Sequence, residues 1–292
     1  MFKGSYVALV TPFKDDQVDE ETLRRLVEFQ IENGTSGIVP CGTTGESATL
    51  THEEHKRVVE IVIDQVAKRV PVIAGAGSNN TAEAIELTKH AKKAGADAAL
   101  HITPYYNKPT QEGIYLHFQA LAKECGLPIV VYNIQGRTGV NITPQTMARL
   151  AEIPEVVAVK EASGNLNQMA EMINLCGDKV DFLSGDDALT LPLLSIGGSG
   201  VISVVNNLVP KMLAELVDAW FAGDLAGARE KANHLFPLSQ AMFIETNPIP
   251  IKTAMALTGL IPNAEMRLPM CPMQPANLEK LKAVLQRYGL LE

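Results

Sequence analysis

Eight short apolar runs, each followed by an amphipathic stretch, fill the chain from its N-terminus to about residue 221. The runs fall at residues 5–10, 37–40, 70–74, 98–102, 128–132, 156–160, 181–184 and 200–204. After them, residues 20–32, 52–66, 81–94, 111–124, 144–151, 166–175, 188–195 and 210–221 carry apolar side chains at helical spacing. Strict alternation of this kind calls for parallel strands, because each helix carries the chain back to the edge where the next strand begins. Eight such units predict an α/β fold of one kind, the closed (β/α)8 TIM barrel, in preference to an open doubly wound sheet. A length of 292 residues accommodates that barrel with material to spare.

Local signals agree with this parsing. Ser163 or Asn165 can cap the helix after the sixth run, Thr143-Pro144 puts proline at a first helical position, and Thr51 precedes His52-Glu53-Glu54. Gly34, Gly95, Gly126 and Gly177 stand where a left-handed residue would end a helix. Beyond Gly223 the alternation stops, and residues 225–243, 250–259 and 275–289 read as three further helices. The expected division is a catalytic barrel over 1–223 and a C-terminal helical appendage over 224–292.

Charge and composition narrow the partners. The net charge is −8, from 25 basic and 33 acidic residues, and no basic cluster offers a nucleic-acid footprint. No apolar stretch approaches the roughly 18 residues a membrane helix needs. The N-terminus lacks the basic, apolar and small-residue order of a secretion signal, so a cytoplasmic location is expected. Cys41, Cys125, Cys176 and Cys271 form no C-x-x-C pair, which argues against both a zinc ribbon and a disulfide framework. A small molecule is the expected partner.

A barrel places chemistry at the C-terminal ends of its strands, and polar residues follow the apolar runs there. Thr11-Pro12 follows the first run, Gly42-Thr43-Thr44-Gly45-Glu46 the second, and Thr103-Pro104-Tyr105-Tyr106-Asn107 the fourth. Tyr132-Asn133 and Gly136-Arg137-Thr138-Gly139 follow the fifth, and Ser184-Gly185-Asp186-Asp187 the seventh. Lys160 ends the sixth run, Val156-Val157-Ala158-Val159. A lysine at the mouth of an apolar core is disfavoured as an ammonium, and desolvation can lower its pKa to roughly 7 to 8. Such an amine can form a Schiff base with a carbonyl substrate. Tyr132, Thr43, Thr44 and Tyr106 supply hydroxyls that can relay protons, and Arg137 offers a planar fork suited to a carboxylate.

Three other motifs carry less. Gly75-Ala76-Gly77-Ser78-Asn79-Asn80 resembles a dinucleotide loop but lacks the third glycine. In His52-Glu53-Glu54-His55 the histidines stand three apart, where a zinc-protease helix needs four. Asp186-Asp187 has no partner at metal-ligand spacing and reads as a loop turn.

These stretches, with Ser47-Ala48-Thr49-Leu50, Lys108-Pro109 and Asn247-Pro248-Ile249-Pro250-Ile251-Lys252, closely resemble the dihydrodipicolinate synthase family. That family lies within the pyruvate-dependent class I aldolases, which include N-acetylneuraminate lyase. The Gly-x-x-Gly-Glu loop and the lysine belong to the whole group, whereas Gly136-Arg137-Thr138-Gly139 resembles the synthases specifically. The resemblance implies a lyase that joins pyruvate to L-aspartate 4-semialdehyde, giving 4-hydroxy-tetrahydrodipicolinate on the route to diaminopimelate and lysine. It implies that Lys160 is the amine, that Tyr132, Thr43 and Tyr106 form the proton relay, and that Tyr106 reaches into a neighbouring subunit. Thr44 would help hold pyruvate, Arg137 would bind the semialdehyde carboxylate, and the backbone at Gly185 and Ile202 would shape the pocket. Ala48, His52, His55, Asn79, Glu83 and Tyr105 match the positions that bind the feedback inhibitor L-lysine in sensitive members. The expected assembly is a homotetramer, a dimer of dimers, and neither a cofactor nor a metal is required. Gln135 stands where the family usually has proline, and Val205-Asn206 where it usually has Thr-Ala.

Overall fold

β1 (Gly4–Ala8) is followed by an antiparallel hairpin of β2 (Phe13–Lys14) and β3 (Gln17–Val18). The chain then runs through β4 (Gly37–Val39), β5 (Ile73–Gly75), β6 (Ala98–Ile102) and β7 (Ile129–Asn133). β8 (Val156–Glu161), β9 (Asp181–Ser184) and β10 (Gly200–Ser203) complete the set. In this computed structural model, which describes residues 2–292, eight of these strands form one parallel sheet in the order β4-β1-β10-β9-β8-β7-β6-β5. Its two ends meet at a parallel bridge between Ile38 and Val72, with Gly75 N–H donating to Pro40 O at 2.9 Å. The expected TIM barrel with its C-terminal helices is the fold.

Side chains of a strand alternate between two faces, and here one face lines the barrel interior. Tyr6 and Ala8, Ala98 and Leu100, and Val130 and Tyr132 are each two apart and share one buried cluster with Ala158, Leu183 and Ile202. Continuing the period from Ala158 turns Lys160 inward as well. Burial on both faces explains why the strands read as unbroken apolar runs. Burying each Val, Leu or Ile of this interior contributes about 1.5–3 kcal/mol. Phe2 stacks edge-on against Tyr6, ring centres 6.0 Å apart, and so joins the core of the strand start that bears it.

Boundaries moved where local chemistry overruled the pattern. The strand of the third run spans Ile73–Gly75, starting later than residue 70, after Ala67 and Lys68 turn the chain at positive φ and Val72 bridges to Ile38. Pro71 then lacks an N–H, although its carbonyl accepts from Ile38 at 3.0 Å. Thr51 and Glu54 form a reciprocal capping box, and of the two candidates after β8 it is Asn165 that accepts from Gln168 N–H. Gly34, Gly95 and Gly126 are left-handed as expected. Gly177 is not: at φ −68° it stays helical.

The helices Leu225–Ala241, Ile249–Leu257 and Pro275–Arg287 follow the barrel. Leu235, Leu238, Met242, Ile251, Met255 and Leu281 belong to the same buried cluster as Val205 and Leu208 of the β10 loop. Ion pairing adds to this seam. Lys252, fully buried, places Nζ 2.6 Å from Glu46 Oε1 and 2.9 Å from Thr11 O. Thus the C-terminal region is anchored directly under the Gly42–Glu46 loop.

Candidate active site

Lys160 sits beside Tyr132 on the neighbouring strand, residue opposite residue in the parallel register. Its ammonium lies 4.4 Å from the centre of the Tyr132 ring, and the residue is 5% exposed. Burial draws its pKa from 10.5 down to about 8, with Arg137 adding to the drop and Asp187 opposing it. A fall of that size raises the neutral fraction at pH 7 on the order of 10²-fold. Gly185 makes the close approach of the next strand possible: a Cβ there would stand 3.1 Å from both Cγ and Cε of Lys160.

Tyr132 is held protonated. Burial pushes its pKa up to about 12, against the opposing influence of Arg137 and a hydrogen bond with the Thr43 side chain. A phenol of this kind can lend a proton and recover one through the hydroxyl it touches. Thr43 occupies a tight turn in which Glu46 N–H donates to Thr43 O and Gly45 N–H to Gly42 O, each at 3.1 Å. Glu46 closes the turn in the left-handed region, at φ 52°, and its carboxylate is fixed by Lys252 and by Arg267 N–H at 3.2 Å. Thr44 is buried, and its Oγ1 accepts from Asn247 Nδ2 at 3.0 Å.

Arg137 lies in the four-residue helix Gln135–Thr138, ended by Gly139 at φ 72°. Its guanidinium donates to Asn247 O at 3.1 Å. Gln135 is the first residue of that helix, the position that proline suits. Val205 donates its N–H to Asp187 Oδ2 at 3.2 Å while its side chain packs in the core, and Asn206 turns away to Ser5 Oγ at 2.7 Å.

A cavity of about 400 Å³ opens on this rim. Thr43, Tyr132 and Arg137 line it together with Ala48, His52, His55, Glu83 and Tyr105. Lys160, Thr44 and Ile202 are buried and are not part of its wall, and Gly185 packs on the lysine stem. Tyr106 is 89% exposed, with φ +66°, and takes no place in the cavity of its own chain. Around Glu83 the groups are already paired: His52 Nε2 lies 2.8 Å from one carboxylate oxygen, and Ser78 donates its hydroxyl to the other. Asn79 Nδ2 donates to Tyr105 O at 3.2 Å, and Asn79 O accepts from Asn107 at 2.9 Å. Burial pulls His55 down to about 4, which keeps it neutral.

Two groups at the site escaped the sequence reading. Asp187, read as part of a loop turn, is a buried carboxyl pushed up to about 6 by desolvation, and it acts electrostatically on Lys160. Its one signal was a second acid after a strand end. Asn247 stands in the family-like stretch 247–252, but nothing there assigns it a role, because it meets Thr44 across 203 positions of chain.

Comparison with known proteins agrees with this geometry. A profile of the dihydrodipicolinate synthetase family matches residues 1–288. The 4-hydroxy-tetrahydrodipicolinate synthase of Geotalea uraniireducens (strain Rf4) is 61% identical over 291 residues, covering 100% of both chains. The crystal structure of the chloride-inhibited dihydrodipicolinate synthase of Acinetobacter baumannii complexed with pyruvate superposes with a TM-score of 0.97 at 45% identity, covering 100% of each chain. That of the enzyme from Cyanidioschyzon merolae with lysine bound gives 0.96 at 42% identity, covering 99% of each. A profile match over nearly the whole chain and a relative 61% identical along its full length show that the chain belongs to the dihydrodipicolinate synthetase family.

Proposed function

We propose that this chain is a lyase that condenses pyruvate with L-aspartate 4-semialdehyde to 4-hydroxy-tetrahydrodipicolinate, in the biosynthesis of diaminopimelate and lysine. The observation that carries the mechanism is the Lys160 amine, buried at a strand end with a pKa lowered to about 8. Its neutral form attacks the keto carbon of pyruvate, and loss of water gives an imine. Removal of a methyl proton yields the enamine, whose carbon adds to the aldehyde of the second substrate. The amino group of that substrate then displaces Lys160 as the ring closes, so one water is lost overall. Each step moves a proton, and the Tyr132 phenol with its Thr43 partner is the relay that moves it; the Lys160 nitrogen 4.4 Å from the Tyr132 ring centre supports this reading.

Thr44 helps to hold the pyruvate carboxylate, and Arg137 receives the carboxylate of the semialdehyde in a bidentate contact. Gly185 and Ile202 shape the floor. Tyr106, projecting from its own chain, completes the relay of a second copy within a homotetramer built as a dimer of dimers. Ala48, His52, His55, Glu83 and Tyr105, which line the same cavity, hold L-lysine as a feedback inhibitor together with Asn79. The Acinetobacter baumannii enzyme with pyruvate and the Cyanidioschyzon merolae enzyme with lysine support both ligands. Cytoplasmic work suits a chain in which, among the described residues, no helix is long and apolar enough to cross a membrane. An assay of purified protein with both substrates, coupled to reduction of the product, tests the activity; no turnover by folded protein refutes it.

A further inference from the structure

Both polar ends of the stretch from Asn247 to Lys252 reach the site loops. Lys252 secures Glu46 at the base of the Thr43-Thr44 turn. Asn247 touches the binding groups themselves: its side-chain amide donates to Thr44 Oγ1 at 3.0 Å, and its main-chain oxygen accepts from Arg137 at 3.1 Å. Both Asn247, at 5% exposure, and Thr44, at 2%, are buried, so solvent does not replace this bond. A hydroxyl has one proton and two acceptor lone pairs. Once the amide occupies a lone pair, the Thr44 proton is directed elsewhere, and the accepted bond polarises the hydroxyl as a donor. Among the described residues Asn247 Oδ1 has no hydrogen-bond partner, so the amide is held through its donor side.

We infer that Asn247 is a positioning residue with two separable duties: its side chain keeps Thr44 a donor toward pyruvate, and its main chain steadies Arg137 for the second carboxylate. This inference rests on the condensation proposed above. The separation follows from the atoms used, since a side-chain change removes the first contact and leaves the second in place.

The test compares wild type with Asn247→Asp, Asn247→Ala, Thr44→Val and the double variant Thr44→Val/Asn247→Asp. Asn247→Asp offers an acceptor where a donor stood, so the Thr44 proton turns toward residue 247. The pyruvate KM is expected to rise about tenfold, the size of one lost hydrogen bond. The semialdehyde KM stays within about twofold, because the carbonyl that meets Arg137 is unchanged. Adding Asn247→Asp to Thr44→Val costs little more, which excludes simple repulsion of pyruvate by a new charge. Should the buried carboxyl prevent folding, Asn247→Ala carries the test through the same split between the two KM values. Equal increases in both, no change in either, or additive losses in the double variant overturn the inference. Borohydride trapping of pyruvate separates the two layers: wild type that traps none overturns the condensation and this inference with it. Trapping by wild type with unaltered pyruvate KM in the Asn247 variants overturns this inference alone.

Discussion

Lys252→Met should cost the chain a large share of its stability, although Lys252 touches neither substrate. The ammonium is fully buried, and it makes one contact at 2.6 Å to Glu46, one at 2.9 Å to Thr11 O and one with the Phe13 ring at 4.4 Å. Glu46 is 2% exposed at its side chain, so removing Lys252 leaves a core carboxylate without its ion partner, held by the Arg267 N–H at 3.2 Å. Breaking one side of such a buried pair costs about 3–5 kcal/mol, whereas removing both charges is often close to neutral. At roughly 2.1 cal/mol/K per residue the 292 residues give about 0.6 kcal/mol/K, so the melting temperature should fall about 5–8 °C. Scanning calorimetry of Lys252→Met and of Lys252→Met/Glu46→Gln, at one protein concentration, measures the difference. The double variant is expected to regain at least half of the loss. A single variant melting within about 1 °C of wild type, or a double variant no better than the single, would refute the reasoning.

Other expectations address the chemistry. Because burial places the Lys160 pKa near 8, the rate of imine formation at low pyruvate should climb about tenfold per pH unit up to pH 8 and then level; a rise continuing to pH 10.5 contradicts the lowered value. Tyr106→Phe and Tyr132→Phe chains, each poorly active, should recover activity when mixed and reassembled, and verified mixed dimers that stay inactive would confine the relay to one chain. L-lysine in the millimolar range should inhibit wild type partially, and Glu83→Ala should be far less sensitive. Equal inhibition of the two would remove Glu83 from the inhibitor site.

What could be read early was what the chain encodes locally. Lys160 and Tyr132 are each the last inward residues of apolar strands, and a period of two fixes their direction without knowledge of the rest of the fold. The hairpin at Phe13–Val18 was invisible because its turn uses Asp15 and Asp16, both left-handed at φ 53° and 59°, in place of the Asn-Gly that announces such a turn. Arg267 holds it from outside, donating to Asp16 Oδ1 at 3.0 Å from more than two hundred residues away. Gly75 opens a loop that the missing third glycine already set apart from dinucleotide binding, and a Cβ there would lie 2.1 Å from Cys41 O, so it answers to barrel closure. Asn247, Lys252 and Asp187 gained their importance only through packing that joins distant segments. No spacing rule along the chain links Asn247 to Thr44 or Lys252 to Glu46.

The Lys160 amine is expected to form the bond to pyruvate. Incubation with pyruvate and borohydride, followed by peptide mass analysis, reads this directly, since reduction fixes an imine as a stable secondary amine. One added pyruvate-derived mass is expected, on the peptide that carries Lys160, absent without pyruvate and absent from Lys160→Ala. An adduct on another lysine, or one that persists in Lys160→Ala, would contradict it.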